Sequence, residues 1–121
     1  MGEKRIRRTP SHGLTRKVLD SLVEEATIDC YNEEEQATGL FTMIEEHLEL
    51  PFHTKVLGVQ VSVERIEITD EGEVVALCRR GREKQVFPLL SLPLPSPPPV
   101  GFEWIEAYRR WRRGYRMTNR T

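Results

Sequence analysis

The spacing of the apolar residues changes at Pro51 from a helical period to an alternating one. Before Pro51, apolar side chains recur three and four positions apart, as they do on one face of an α-helix. After it, every second residue from 59 to 63 is valine, which is typical of a strand with one buried face. Ile66 and Ile68 continue this alternation out of phase and indicate a β-bulge or a break between strands. The chain is therefore predicted to be α+β.

Two helices are predicted within residues 14–50. The first covers about residues 14–27. The second begins after Asn32, a favourable N-cap, and Glu35 lies three positions further on, as in a capping box. This helix is expected to continue to about Glu49 and to stop before the next proline.

The middle of the chain, residues 52–92, is predicted to form an antiparallel sheet of about four or five short strands. Glycine-containing turns at 69–73 and 79–83 separate apolar runs of strand length. Because closure removes the exposed edges of such a sheet, we expect a small SH3-like antiparallel β-barrel. A proline connector at 92–101 and a C-terminal helix at 102–114 complete the predicted fold.

A single domain is expected at residues 14–115, between a basic flexible tail at 1–13 and a second tail at 116–121. No apolar run is long enough to cross a membrane, and the N-terminal residues lack the apolar segment of a secretory signal. The sequence therefore predicts a cytoplasmic protein without a membrane partner. It contains no nucleophile elbow, P-loop or zinc-protease motif, so we do not expect an enzyme.

Charge is strongly segregated along the chain. Residues 18–54 contain ten Asp or Glu and no Lys or Arg, whereas both ends of the chain are basic. Residues 1–17 carry six Lys or Arg against one Glu, and residues 103–121 carry six against two. A helix surface that serves only solubility usually mixes the two signs, because like charges at i,i+4 repel each other. The acidic stretch therefore requires a counter-charge.

Two sequence blocks resemble the CcbP family of small bacterial calcium-binding proteins. The first block has the pattern DxYxxEEQAxG and consists of Asp29, Tyr31, Glu34, Glu35, Gln36, Ala37 and Gly39. The second consists of Ile44, Glu45, Glu46, Leu48, Pro51 and Phe52. With looser matches further on, the resemblance covers about residues 28–115. It implies a compact domain that binds Ca²⁺ through clustered surface carboxylates, without an EF-hand, as a cytoplasmic calcium buffer or sensor.

Calcium requires about six to eight oxygen ligands, and no single segment of this chain supplies that number. A site must therefore combine two segments with water, which predicts low affinity. The first predicted ligand group is Glu45, Glu46 and Glu49, near the C-terminal end of the second helix. The helix dipole disfavours acids there, and Glu45 and Glu49 form a like-charge i,i+4 pair. A bound dication would offset both effects.

The second predicted ligand group is Asp70, Glu71 and Glu73, in the turn with the sequence TDEGE. A solvated acidic turn at a sheet edge is the competing interpretation. Residues 33–35, three consecutive glutamates in the first turn of the second helix, are interpreted as helix-stabilising because the dipole favours anions there.

The C-terminal sequence YRRWRRGY supports an alternative function without a metal. Arginines interleaved with aromatic residues are typical of surfaces that contact phosphates and stack on bases. The basic ends are therefore also consistent with a module that binds a protein or, less favoured, a nucleic acid. A third interpretation is that the arginines pair with the acids of the same molecule, which would neutralise them internally.

Overall fold

The structure, a computed structural model, describes residues 13–115. Within them the fold is α+β, with three α-helices and four strands. The elements are α1 (Arg16–Ala26), α2 (Glu33–His47), β1 (Phe52–Val56), β2 (Val59–Ile68), β3 (Val74–Arg80), β4 (Glu83–Pro88) and α3 (Phe102–Arg110). A 3-10 turn, Leu89–Ser91, follows β4, and a π-helical turn, Trp111–Tyr115, follows α3. The predicted tails, apart from Gly13, lie outside the described residues. None of the described helices is long and apolar enough to cross a membrane.

The sheet is antiparallel, with the strand order β1-β2-β3-β4. Within residues 13–115 it is open, so the predicted SH3-like barrel is wrong. The last strand ends at Pro88, and the chain then forms the 3-10 turn at Leu89–Ser91 within the predicted barrel range 52–92. The prolines that follow lack the N–H groups that a ladder strand must donate. Closure is also unnecessary for burying the sheet, because the helices cover its inner face.

A register shift between Val63 and Arg65 confirms the predicted irregularity in β2. The extra residue places both Val63 and Ile66 on the inner face, where their exposed fractions are 0% and 6%. The long strand therefore buries apolar residues on both sides of the bulge, although its alternation changes phase.

The core lies between the inner face of the sheet and the helices. Helix α3 packs against both α1 and α2 and buries four apolar side chains, Trp104, Ile105, Ala107 and Tyr108. Leu40 and Ile44 of α2 are fully buried in the same cluster. A side chain at Gly39 would overlap the carbonyl oxygen of Ala26, so glycine is needed where α2 passes the end of α1. This packing fixes the face that α2 presents to solvent.

Candidate functional site

An acidic cleft of about 470 Å³ lies between the start of α2 and the turn that joins β2 to β3. Four carboxylates line it, Glu33 and Glu34 from α2 and Asp70 and Glu71 from the turn. All four residues are exposed. The side chain of Arg112, on the π-helical turn, lines the same space. We refer to this space as the acidic cleft.

The acidic turn lies beside α2, and both Gly72 and Ala37 line the cleft between them. Gly72 is buried, and a Cβ added there would lie 3.5 Å from the Cβ of Ala37. Its positive φ of 85° also favours glycine. Inside the turn, the Thr69 hydroxyl accepts a hydrogen bond from the Glu73 N–H at 3.1 Å. The carboxylates at 70 and 71 therefore project from a turn whose backbone is fixed.

The strand that follows the acidic turn is tied to the core of the protein. The Val74 N–H donates a buried hydrogen bond of 3.0 Å to the hydroxyl of Tyr108 on α3. Tyr108 is 1% exposed, so this contact is shielded from water. Helix α3 thus anchors the strand that follows the acidic turn.

The first turn of α2 has the predicted N-cap. The Asn32 side chain accepts from the Glu35 N–H at 2.8 Å, which confirms Asn32 as the cap. The Glu35 carboxylate accepts from the Tyr31 N–H at 2.7 Å, one residue before the cap. Glu35 is therefore engaged in stabilising the helix start, while Glu33 and Glu34 face the acidic cleft.

Most residues of the DxYxxEEQAxG pattern have structural roles. Asp29 occupies a left-handed turn position with φ 67°. The Gln36 side chain accepts a hydrogen bond of 2.9 Å from the Trp111 indole N–H, which ties the C-terminal turn to α2. Ala37 lines the acidic cleft opposite the acidic turn. Glu34 is the acid of this pattern that lines the cleft.

The acids at the other end of α2 have different surroundings. The helix ends at His47, so Glu49 lies beyond it, and the predicted i,i+4 pair with Glu45 is not contained within the helix. Glu45 lines a separate cleft together with Glu64 and Glu67. Twelve residues of helix, about 18 Å, separate Glu34 from Glu46. The structure therefore does not bring the two predicted ligand groups together.

In that second cleft, the neighbouring carboxylates are already engaged by arginines. Arg65 contacts Glu67 at 2.7 Å, and Arg79 contacts Glu64 at 3.1 Å. The hydrogen bond from Arg79 holds the pKa of Glu64 below its usual value. Glu46 and Glu49 are exposed and line neither cleft, and Glu73 is half-buried outside the acidic cleft.

Ion pairs within the chain neutralise part of the negative charge of residues 18–54. Both carboxylate oxygens of Asp20 accept from Arg110, at 2.7 and 3.5 Å. Within residues 13–115, however, the six predicted ligands form no ion pair. Ion pairs among the described residues therefore do not neutralise these six acids.

The carboxylates of the acidic cleft share a space without converging on a point. In the part of the chain that the structure describes, no three His, Cys, Asp or Glu side chains are arranged to hold a metal ion. The donor set nevertheless suits calcium, which prefers carboxylate oxygen and accepts water as a further ligand. Closing such a site requires side chains of Glu33, Glu34, Asp70 and Glu71 to reorient toward the ion.

Sequence reasoning missed Glu33 and Glu34 as members of the site. The helix dipole already explained them, so they were assigned a purely structural role. Their position beside the turn depends on how α2 and the sheet pack together, for which the sequence holds no local signal. The position of Glu34 within the first family-like block was the available clue.

Two aromatic residues of the C-terminal sequence, Tyr108 and Trp111, belong to the core together with Trp104. Trp104 and Trp111 are 5% and 4% exposed, and Tyr108 is 1% exposed. Rings buried in this way cannot stack on nucleic-acid bases. The alternation of arginine with Tyr108 and Trp111 therefore reflects a helix with one buried face.

Comparison with known families gives one match. A family model described as calcium binding, that of the CcbP proteins, matches residues 20–112 of this chain. Neither the curated proteins nor the solved structures contain a significant match. The matched range includes the acidic cleft and both groups of acids near the ends of α2.

Proposed function

The chain belongs to the CcbP calcium-binding family, and from this premise we propose that it binds Ca²⁺ with low affinity in the acidic cleft, as an intracellular calcium buffer or sensor. The observation that carries the proposal is the meeting of four carboxylates from two segments. Glu33 and Glu34 come from a helix start, and Asp70 and Glu71 from a turn about 37 residues later. Asp and Glu in such proximity repel one another, and a dication between them would offset that repulsion.

Low affinity follows from the same geometry. Carboxylates that already converged would bind calcium without reorganisation, whereas exposed side chains lose rotamer freedom when the ion orders them. The exposed cleft also leaves calcium in contact with water, where the attraction between charges is screened. We therefore expect water to supply part of the coordination shell.

The rigid frame around the cleft favours a buffer over a sensor. The hydrogen bond from the Glu73 N–H to the Thr69 hydroxyl braces the turn itself, and Tyr108 anchors the strand that follows it. Neither backbone segment has to move for four side chains to reorient. A sensor role would need a further element that responds to the ion, and Arg112, which lines the cleft, is the candidate.

Calorimetric titration with Ca²⁺ tests this function, with Mg²⁺ as the ionic comparison. The cleft variant carries Glu33→Gln, Glu34→Gln, Asp70→Asn and Glu71→Gln, and the matched control carries Glu45→Gln, Glu46→Gln and Glu49→Gln. We expect the cleft variant to bind Ca²⁺ at least about tenfold more weakly, because it loses four anionic oxygen donors. The control should stay within about threefold of wild type, an allowance for long-range attraction.

Thermal unfolding of both variants without calcium checks that the substitutions preserve the fold. Absence of any calcium response in the wild-type protein, in heat or in thermal stability, would contradict the proposed function. A loss confined to the Glu45, Glu46 and Glu49 variant would instead place the site at the other end of α2, as the sequence predicted.

A further inference from the structure

A groove of about 700 Å³ lies between α1, α3 and the segment that follows the 3-10 turn. Leucine side chains from α1 and its N-terminal approach form one part of its lining, and Leu90, Leu92 and Leu94 form another. Four arginines complete the lining, namely Arg16, Arg109, Arg110 and Arg113. We refer to this surface as the basic groove. It shares no lining residue with the acidic cleft.

Two of the four arginines have structural partners. Arg109 donates to the buried carboxylate of Glu106 and to the carbonyl oxygen of Leu90, both at 3.2 Å. Arg110 pairs with Asp20. These contacts hold the 3-10 turn and α1 against α3 and give the groove a fixed shape.

The other two arginines, Arg16 and Arg113, are exposed and form no ion pair with residues 13–115. Glu106 is the acid that lines the groove, and Arg109 already engages it. The groove therefore combines an aliphatic lining with uncompensated positive charge. Its complement is a ligand that carries both apolar groups and negative charge.

The ends of the chain are poor candidates for filling the groove. Residues 1–12 precede Leu14 in the sequence, and residues 116–121 follow Arg113. Residues 1–12 carry four Lys or Arg against one Glu, and residues 116–121 carry two Arg and no acid. Their charge has the same sign as that of the groove, so electrostatics opposes their binding there.

We propose that the basic groove binds an acidic, leucine-bearing peptide segment of a partner protein. The aliphatic lining would receive the apolar side chains, and Arg16 and Arg113 would contact carboxylates beside them. A nucleic acid fits this surface less well, because the neighbouring aromatic rings of Tyr108 and Trp111 are buried and cannot stack on bases. This inference is independent of calcium binding.

Fluorescence anisotropy with a labelled synthetic peptide tests the proposal on the full-length protein. The probe is an amphipathic helix of about 16 residues with Leu on one face and Glu on the other, long enough for four turns. Polyglutamate of equal length and an analogue with Gln in place of Glu are the comparison probes. We expect the Leu/Glu peptide to bind at least about tenfold more tightly than either, because each comparison probe removes one of the two complementary features.

The decisive variant is Arg113→Glu, with Arg82→Glu in the exposed turn between β3 and β4 as the matched charge control. Arg113→Glu should raise the dissociation constant of the peptide about tenfold, and Arg82→Glu less than about twofold. Both substitutions are at exposed positions, so thermal unfolding should show an intact fold.

Three outcomes would overturn the proposal. These are the absence of peptide binding to the wild-type protein, equal binding of polyglutamate, and equal weakening by Arg113→Glu and Arg82→Glu. Sedimentation velocity without peptide provides a further test. Self-association that Arg113→Glu abolishes would identify a second copy of the chain as the occupant, and would also overturn the proposal.

Discussion

The two ends of α2 carry similar numbers of acids and yet have different surroundings. At the N-terminal end, where the dipole favours anions, Glu33 and Glu34 face the acidic turn across a cleft. At the C-terminal end, where the dipole disfavours them, Glu45 faces arginine-paired carboxylates and Glu46 faces solvent. The helix dipole therefore does not indicate which acids lie together. Carboxylates gather where packing brings a second acidic segment to them.

The largest effect should come from removing the anchor behind the acidic turn. Tyr108→Phe keeps the buried ring but leaves the Val74 N–H without its acceptor, which costs about 1–3 kcal/mol. We expect a lower midpoint in urea unfolding and weaker calcium binding at the N-terminal end of α2. The matched change Tyr31→Phe, at a residue that is 86% exposed, should alter the unfolding midpoint little. Unchanged stability of Tyr108→Phe would show that the tyrosine hydroxyl does not support the turn.

An intermediate effect is expected from the arginine that lines the acidic cleft. Arg112→Gln removes a positive charge beside four carboxylates and should raise calcium affinity about fivefold at low salt. Its guanidinium lies 5.8 Å from the ring centroid of Tyr108, so the charge sits near the cleft rather than in free solution. Arg113→Gln, one residue later and on the basic groove, is the control and should have a smaller effect in titration calorimetry. If calcium affinity rises equally in both variants, the effect depends only on the net charge of the protein and not on the position of Arg112.

The smallest effect is expected from the same substitution at both ends of α2. It tests whether the helix dipole acts with opposite sign on charge at the two ends. Glu34→Lys places a cation at the helix start, where the dipole lowers the free energy of unfolding by about 0.3–1 kcal/mol. Relief of the repulsion among the cleft carboxylates offsets part of this loss. Glu46→Lys places a cation in the last turn and should raise the free energy of unfolding by a similar amount of about 0.3–1 kcal/mol. Urea unfolding at low ionic strength measures both, and high salt should shrink the difference between them. Shifts of the same sign would contradict the contrast.

Much of the fold could be predicted from local patterns. Asn32 caps α2 as expected, and the change of phase between Val63 and Ile66 corresponds to the observed register shift. Such features depend on residues close together in sequence, so their physical causes are visible there. Predictions failed where distant segments decide the outcome. The sheet does not close, because the chain after Pro88 turns into a 3-10 helix and the helices cover the inner face.

For the candidate site, too, the local features were predictable and the contacts between distant segments were not. Asp70 and Glu71 were predicted as ligands and line the acidic cleft, whereas their partners across the cleft were assigned to helix stabilisation. Glu49 was placed inside α2, but the helix ends two residues earlier. Whether the acids at that end bind calcium remains a prediction that the titration above addresses.

Local sequence alone specifies the order of helical and extended segments, the segregation of charge and the resemblance to a calcium-binding family. Each of these depends on side-chain type and spacing, which the chain carries locally. Which acids lie together depends on the packing of distant segments, because Glu34 and Asp70 are far apart in sequence and line one cleft only in the folded chain. The position of Arg112 at the same cleft depends likewise on the contact between Trp111 and Gln36.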